Sequence, residues 1–471
     1  MVFNSLTFLL FFGLVLVFSR LRISWTGKKM GLVCFSYLFY AAWNPPFVIL
    51  LWISTLIDWI AGNRIWTSRG SFQRRFYLIL SLAVNLGLLG FFKYGNFLLD
   101  NFIAALSWFN IAYHPLRPDI VLPVGISFYT FQSMSYTIDI YRGRMKPWDS
   151  SVDFALYVTF FPQLVAGPIV RAVDFLPQCV VPKTGSARQM LWGGILLVTG
   201  LFEKVFLADT LLAPVSDAVF TNTGQTGFVD AWMGTLAFSA QIFFDFAGYS
   251  TCAVGAALCL GFILPDNFRF PYGALGFSDF WQRWHISLSS WLRDYLYIPL
   301  GGNRIGSVRT YGNLMLTMLI GGLWHGASWR FVVWGGLHGA FLVMERFMKR
   351  KWGPVSSGHR ILMPFILALT TYLLIVVTWV FFRAQNFSEA FVVLYQMFHF
   401  NASGVLGQGD IVTVAAVSVC LFGFHFAMRN RSYEDLVSGT PVGIRAFGLA
   451  LMLIILSLTP GDDRAFIYFQ F

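Results

Sequence analysis

Long apolar runs, separated by shorter stretches that hold most of the basic residues, dominate the pattern of this 471-residue chain. Runs with few or no charged residues are Phe3–Phe18, Phe76–Phe92, Leu191–Leu207, Ile361–Phe382 and Ile411–Ala427. Their lengths approach the roughly 17–25 residues that a membrane-spanning helix needs. The pattern therefore predicts an all-α, polytopic integral membrane protein with about eleven helical segments.

Two apolar stretches are interrupted where a continuous helix would be expected. Gly31–Trp43 and Phe47–Ile60 are each short for a span, and Asn44-Pro45-Pro46 separates them, while Phe154–Val170 contains two breaks with proline. Proline removes a backbone donor and disfavours helix before it. We expect re-entrant hairpins or pairs of short helices. Because non-helical backbone at membrane depth must be buried in protein or line a cavity, the breaks predict a cavity.

The distribution of charge predicts the topology. If the clusters of Lys and Arg face the cytoplasm, the loop from Asp209 to Asp230, which has no Lys or Arg, lies on the outer side. The first run begins close to Met1 without basic residues before it, which favours a retained helix over a signal peptide. No linker and no repeat divides the chain, so we expect one domain over residues 1–471.

The composition excludes a water-soluble fold. The chain is 57% apolar and 12% charged, whereas soluble domains are roughly 45–50% apolar and about 25% charged. The net charge of +11 indicates topology rather than nucleic-acid binding. The five cysteines lie mostly within apolar runs without metal-ligand spacing, and we expect them to be small buried residues.

The segment Phe277–Leu300 differs from its surroundings, because aromatic, arginine and hydroxyl residues are mixed in it. Apolar residues recur there at spacings of three and four, which predicts one amphipathic helix that is capped near Ser278 and ends at Gly301-Gly302-Asn303. Trp and Tyr favour the membrane interface. We therefore expect this helix to lie at the cytoplasmic boundary.

His325 is the clearest candidate for chemistry, because it follows an apolar run and stands between glycines and Trp324, a flat apolar wall. A neutral imidazole in a dry pocket is suited to act as a general base. A histidine that only hydrogen-bonds between helices has the same sequence signature. His285 lies on the predicted amphipathic helix, where it would orient a substrate, support the base, or merely face lipid headgroups.

Other ionisable residues have weaker claims. Asp245, in a strongly apolar run, is suited to pair with an arginine, polarise a histidine or form a structural salt bridge. Arg283 and Arg293 are suited to bind the phosphates of a coenzyme-like donor or of anionic lipid. His338 with the other two histidines suggests zinc, but neither a cysteine or carboxylate cluster nor HExxH spacing accompanies them, so we expect no metal.

Several long strings resemble the membrane-bound O-acyltransferase superfamily, and within it the bacterial alginate O-acetylation branch. They are LPVGISFYTFQSMSYTIDIYRG (Leu122 to Gly143), FFPQLVAGPIVR (Phe160 to Arg171), FWQRWHISLSSWLRDYLYIPLGGNR (Phe280 to Arg304), GGLWHG (Gly321 to Gly326) and the closing residues Tyr468 to Phe471. The likeness covers most of the chain and is strongest over residues 122–339.

The resemblance implies an enzyme of the bacterial inner membrane. It implies that His325 is catalytic and that His285 is a second site residue. It also implies a cytoplasmic thioester donor such as acetyl-CoA, with no tightly bound cofactor, and helices arranged around a central tunnel. Acetyl would pass through this tunnel and then, through periplasmic partners, to an exported polysaccharide such as alginate or cellulose. The residues that we expect at the donor are Trp324, Arg283, Arg293 and Asp245. A non-enzymatic transporter and a scaffold of a polysaccharide-export complex are the alternatives.

Overall fold

The computed structural model describes residues 1–165, 167–353, 362–402, 404–459, 464 and 466–467. Every regular element in these ranges is helical, and no strand occurs in them. This confirms the all-α prediction. The chain divides into two compact units, the first formed by residues 1–197 and 252–265 and the second by residues 198–251 and 266–471. The prediction of one domain stays a prediction.

The first unit holds the following helices: α1 (Leu6–Arg20), α2 (Trp25–Ala41), α3 (Val48–Thr67), α4 (Ser71–Trp108), α5 (Ile126–Tyr141), α6 (Ser151–Thr159), α7 (Phe161–Leu164), α8 (Ala172–Phe175) and most of α9 (Ala187–Leu201). Short 3₁₀ turns at Pro45–Phe47 and Leu176–Cys179 complete it. Serine side chains cap several of these helices, for example Ser5 at α1 and Ser150 at α6.

The second unit holds α10 (Ala213–Thr221), most of α11 (Phe228–Cys259), α12 (Phe277–Trp281), α13 (Ile286–Leu292), α14 (Ser307–His325), α15 (Trp329–Trp352), α16 (Leu362–Arg383), α17 (Phe387–Phe398), α18 (Gln408–Met428), α19 (Tyr433–Gly439) and α20 (Val442–Leu458). A 3₁₀ turn covers Pro271–Gly273, and π-helical segments cover Phe202–Leu212 and Arg293–Tyr297.

Several helices are long and apolar enough to cross a membrane. In the described part of the chain they are Pro45–Thr67, Ser71–Trp108, Phe228–Cys259, Leu362–Arg383 and Gln408–Met428. The bent pair of α19 and α20 would add a sixth span if it counts as one. The chain is therefore a polytopic membrane protein, as predicted. The number of about eleven segments stays a prediction.

The first interruption lies where the prolines predict it, but the helices around it are longer than expected. The 3₁₀ turn at Pro45–Phe47 separates α2 from α3. Helix α3 has 20 residues and, with the turn, forms a candidate span of 23 residues. The expectation that both flanking segments are too short to span is therefore wrong for α3, because apolar helix continues past Ile60 to Thr67.

The second interruption produces buried, broken backbone. Helix α6 ends at Thr159, α7 covers only Phe161–Leu164, and residues 167–171 are not helical. Phe160, Val165 and Val170 are nevertheless buried, with exposed fractions between 0% and 6%. Such a segment satisfies the requirement that irregular backbone in a membrane protein be enclosed by protein.

The region from Asp209 to Asp230 is not the loop that the sequence suggested. It begins in the π-helical segment Phe202–Leu212 and continues through α10. Asp209 is buried beside Lys204, at 2.9 Å, and Asp217 binds Arg383 and Arg464, each at 2.6 Å. These carboxylates bind basic residues from other parts of the chain. The absence of Lys and Arg between residues 209 and 230 is therefore weaker evidence for the outer side of the membrane than the sequence suggested.

Helices α14 and α15 pack closely through glycines, and this contact places the end of α14. A Cβ atom at Gly322 would lie 2.2 Å from the carbonyl oxygen of Phe331, and one at Gly335 would lie 2.2 Å from that of Met318. Small residues are typical where membrane helices approach this closely. The crossing fixes His325, the last residue of α14, against the first turns of α15.

The cysteines only partly follow the expectation. Cys179, Cys252 and Cys259 are buried, but Cys34 and Cys420 are exposed on the surface of the protein. None of the five forms a disulfide. Ile361 and residues 468–471, which the sequence analysis included in a span and in the family resemblance, lie outside the described residues.

Candidate active site

The predicted amphipathic helix over Phe277–Leu300 is wrong as a single element. The structure divides it into α12, α13 and the π-helical segment Arg293–Tyr297, with a break at residues 282–285. Ser278 does not cap α12, which instead begins after Gly276 at a φ of 97°. Asp279 accepts a hydrogen bond from the Leu275 amide at 2.8 Å, and Glu345 accepts one from the Ser278 amide at 3.0 Å, so carboxylates rather than a hydroxyl bind the backbone at the start of this helix.

His285 stands at this break with a left-handed backbone, at φ 44° and ψ 54°. This conformation costs a non-glycine residue about 1–2 kcal/mol and needs support from its surroundings. The support comes from Asn267, whose backbone oxygen accepts from the Ile286 amide at 2.9 Å. The side chain of His285 is 0% exposed, which rules out the interpretation as a histidine facing headgroups.

A small hydrogen-bonded cluster holds the His285 ring. Its Nδ1 lies 3.1 Å from Oδ1 of Asn267. The same oxygen accepts from the hydroxyl of Ser287 at 2.9 Å and from its amide at 3.3 Å. The side-chain nitrogen of Asn267 donates to Ser250 at 3.0 Å. Three polar residues of the second unit therefore meet beside one imidazole.

His325 closes α14 in an almost wholly aromatic environment, and only 2% of it is exposed. Its ring centroid lies 5.1 Å from those of Trp324 and Trp334, and 5.5 Å from that of Phe382. Edge-to-face contacts of this kind fix the orientation of the ring. The local sequence produces this position because Gly326 ends the helix directly after the histidine.

The structure brings His285 and His325 together. Their ring centroids are 6.4 Å apart, and Trp324 contacts both rings, at 5.8 Å from His285 and 5.1 Å from His325. Phe246 covers another side of His285 at 4.6 Å. Two imidazoles that are 40 residues apart in sequence thus form a buried pair with aromatic walls. Such a pair is suited to proton transfer in a site that excludes bulk water.

Burial keeps His285 neutral. The residue lies outside the candidate spans, and desolvation lowers its pKa to about 3. A histidine with a lowered pKa stays uncharged at the pH of the cell. It can then accept a hydrogen bond through the ring nitrogen that carries no hydrogen.

Asp245 is held in a buried ion pair. Its carboxylate pairs with Lys204, which also binds Asp209, and it accepts a hydrogen bond from the Ile467 amide at 2.9 Å. The side chains of the three charged residues are between 3% and 6% exposed. The partner of Asp245 is a lysine rather than the arginine considered from the sequence. Of the three alternatives for Asp245, this geometry matches the structural salt bridge.

The two arginines expected at the donor have carboxylate partners. Arg283 binds Asp279 at 2.7 Å and donates to the backbone oxygen of Arg429 at 2.6 Å. Arg293 binds Asp294 at 2.7 Å, and 62% of its side chain is exposed. The pKa of Arg293 is raised by its hydrogen bond to Asp294. A role in binding a donor stays a prediction for both residues.

His338 belongs to the aromatic packing rather than to the pair. Its Nε2 lies 3.0 Å from the hydroxyl of Thr378, and its ring lies 4.7 Å from Trp334. Among the described residues, no group of three or more His, Cys, Asp or Glu side chains is arranged to hold a metal ion.

Sequence reasoning missed Asn267 and the pairing of Lys204. Asn267 lies 18 residues before His285 in an irregular segment, where no periodic pattern marks it. Lys204 and Asp209 are five residues apart, a spacing that does not face on an α-helix but does on the π-helical segment that contains them. A π-helix has no simple sequence signature, so this contact could be found only from the structure.

Comparison with known proteins gives a consistent result. The model of the MBOAT, membrane-bound O-acyltransferase family matches residues 149–363. A probable alginate O-acetylase AlgI of Pseudomonas putida is 38% identical over 100% of both chains, and that of Pseudomonas aeruginosa is 42% identical over 85% of this chain and 75% of its own. A peptidoglycan O-acetyltransferase of Helicobacter pylori is 39% identical over 79% of this chain and 74% of its own.

Proposed function

Because the chain belongs to the membrane-bound O-acyltransferase family and is an O-acyltransferase, we propose that it transfers acetyl groups toward the hydroxyls of an exported polysaccharide. The names of its relatives support this acceptor class, since they act on alginate or on peptidoglycan. The buried pair of His285 and His325 is the observation on which the proposal rests. Membership of an enzyme family favours this function over a transporter or a scaffold.

The proposed reaction is transfer from a thioester to a hydroxyl. His325 takes the proton of the acceptor hydroxyl as its oxygen attacks the carbonyl carbon of the thioester. A carbon–oxygen bond forms, the carbon–sulfur bond breaks, and the imidazolium returns the proton to the departing thiolate. The aromatic walls around His325 exclude water, which would otherwise hydrolyse the thioester.

The donor in this proposal is acetyl-CoA on the cytoplasmic side of the bacterial inner membrane. Periplasmic acetyltransferase partners receive the acetyl group after it has passed through a tunnel. Trp324 supports a place for the acetyl group beside the two histidines, because it is buried and contacts both rings. An acyl group at the pair would lie against its indole. The polysaccharide-export machinery would then supply the final acceptor.

The direct test of the proposed acceptor is a gene deletion in the bacterium that carries this chain. Ester-linked acetate is released by mild alkali from the purified envelope and exported polysaccharides and is then quantified. We expect the deletion to remove acetate from one polysaccharide and the wild-type gene to restore it. An unchanged acetate content in every polysaccharide would contradict the proposal.

The proposed donor is tested with purified protein in lipid nanodiscs. Acetyl-CoA labelled in the acetyl group is supplied, and the free thiol and the labelled ester are measured over time. We expect release of CoA to depend on the intact protein and on an acceptor. If labelled acetyl phosphate serves while acetyl-CoA does not, the donor assignment is wrong but the acyltransferase remains.

A further inference from the structure

The orientation of the Asn267 side chain is settled by its neighbours. The Ser287 amide, which can only donate, lies 3.3 Å from the atom assigned as Oδ1. That atom must therefore be the oxygen, because an amide nitrogen in its place would face another donor. The nitrogen at the other end then donates to the hydroxyl of Ser250 at 3.0 Å.

This orientation determines the tautomer of His285. Nδ1 lies 3.1 Å from an oxygen that has no hydrogen to give, so Nδ1 must carry the proton and donate. In a neutral imidazole only one ring nitrogen is protonated. Nε2 of His285 therefore carries the lone pair and is the accepting nitrogen of the ring.

We propose that Asn267 is a positioning residue, which fixes His285 in the tautomer protonated at Nδ1, so that Nε2 is the hydrogen-bond acceptor of this ring while His325 takes and returns the proton of the transfer. This rests on the proposed function, because it gives His285 a role in that reaction. Asn267 does not touch the reacting atoms and acts through the imidazole. It is also buried, with an exposed fraction of 3%, so water does not compete for its oxygen.

Asn267 holds the backbone of the same segment. Its carbonyl oxygen binds the Ile286 amide at 2.9 Å, directly after the residue with the left-handed conformation. Strained backbone at a functional position persists only when the surroundings determine it. One asparagine thus sets both the position of the His285 backbone and the protonation of its ring.

The decisive variants are Asn267→Ala and Asn267→Asp. Asn267→Ala removes the oxygen that accepts from Nδ1. We expect kcat to fall roughly a hundredfold or more with little change in KM, because removal of a group that orients a catalytic histidine has an effect of that size. Aspartate keeps an oxygen for Nδ1 and for the Ser287 amide, while the Ser250 hydroxyl turns to donate. We expect Asn267→Asp to retain activity within about tenfold of wild type.

Nitrogen NMR of protein with ¹⁵N-labelled histidine distinguishes a positioning role of Asn267 from a purely structural one, because only a positioning role determines which ring nitrogen of His285 is protonated. Protonated and unprotonated ring nitrogens have distinct shifts, and the His285 signals are identified as those missing from His285→Gln. We expect wild type and Asn267→Asp to carry the proton on Nδ1, and Asn267→Ala to show a mixture. A wild-type spectrum with the proton on Nε2 would overturn the proposal, even if Asn267→Ala does not fold.

Asn313→Ala is the matched control, since it removes another buried asparagine, whose side chain binds the backbone oxygens of Leu300 and Gly302 at 3.2 and 3.0 Å. It should lower thermal stability but leave kcat and the His285 spectrum unchanged. If His285→Gln and His325→Gln are inactive while Asn267→Ala equals wild type, the role of Asn267 is wrong and the proposed function stands. Activity in His325→Gln would instead remove the catalytic assignment itself.

Discussion

Lys204 is the cation of a buried triad and pairs with two carboxylates. It lies between Asp209 and Asp245, and all three side chains are almost completely buried. Removing one member of a buried ion pair leaves an uncompensated charge. The carboxylate of Asp245 also binds the Ile467 amide, so the triad fixes the chain near its end to α11.

We predict that Lys204→Met destabilises the protein by about 3–5 kcal/mol, because two carboxylates lose their cation. The measurement is thermal unfolding in detergent. Lys349→Met is the control, since Lys349 pairs with Glu345 on an exposed helix face and 53% of its side chain is exposed. Its loss should cost about 0–1 kcal/mol. Equal stability of both variants would show that the buried triad is not a structural element.

The sequence singled out the two histidines that the structure brings together, but not the residues that support them. His325 was recognisable because an ionisable residue closes an apolar run. Asn267 was not, because its importance arises from hydrogen bonds across 18 and 20 residues of chain. Long-range polar contacts leave no periodic signal, whereas burial of a helix face does.

The crossing of α14 and α15 is the element that sets the position of His325. A Cβ atom at Gly322 or Gly335 would lie 2.2 Å from a backbone carbonyl oxygen of the other helix. Substitution at either position must push the helices apart. Gly336, one residue further along α15, has only ordinary contact with Leu319 at 3.4 Å.

We predict that Gly335→Ala lowers activity by at least about tenfold, because a displacement near 1 Å at a reacting group costs that much or more. Gly336→Ala should keep wild-type activity. Acetyl transfer per amount of folded protein is measured for both. Wild-type activity in Gly335→Ala would mean that the helix separation does not control the site.

The elements also show where hydrophobic periodicity misleads. Spacings of three and four over Phe277–Leu300 match one helix, yet the chain breaks at residues 282–285, where the Ile286 amide donates to the backbone oxygen of Asn267 instead of continuing a helix. Tertiary contacts override helix propensity there. At Pro45–Pro46 the local signal was sufficient, since proline cannot donate the bond that a continuous helix needs.

The basic end of α15 predicts the side of the membrane on which that helix ends. Lys349, Arg350 and Lys351 close this helix, and the positive-inside rule assigns them to the cytoplasm. The turn after α10, which includes Gln225, carries no basic residue between Asn222 and Phe228. We expect that turn to face the periplasm.

We predict that Gln225→Cys reacts with a membrane-impermeant maleimide in intact spheroplasts, while Lys351→Cys reacts only after permeabilisation. Both variants are made in a background with Cys34→Ser and Cys420→Ser, because those two cysteines are exposed. Labelling of Lys351→Cys alone in intact spheroplasts would reverse the proposed direction of transfer.

A matched pair of glutamine variants tests whether the buried imidazole of His325 carries the transfer. His325→Gln and His338→Gln each remove a buried imidazole of the same aromatic cluster, and His338→Gln can still reach Thr378. Transfer of labelled acetyl is measured with equal amounts of folded protein in nanodiscs. We predict a loss of roughly 10²-fold or more for His325→Gln and near-normal transfer for His338→Gln. Equal activity in the two variants would contradict it.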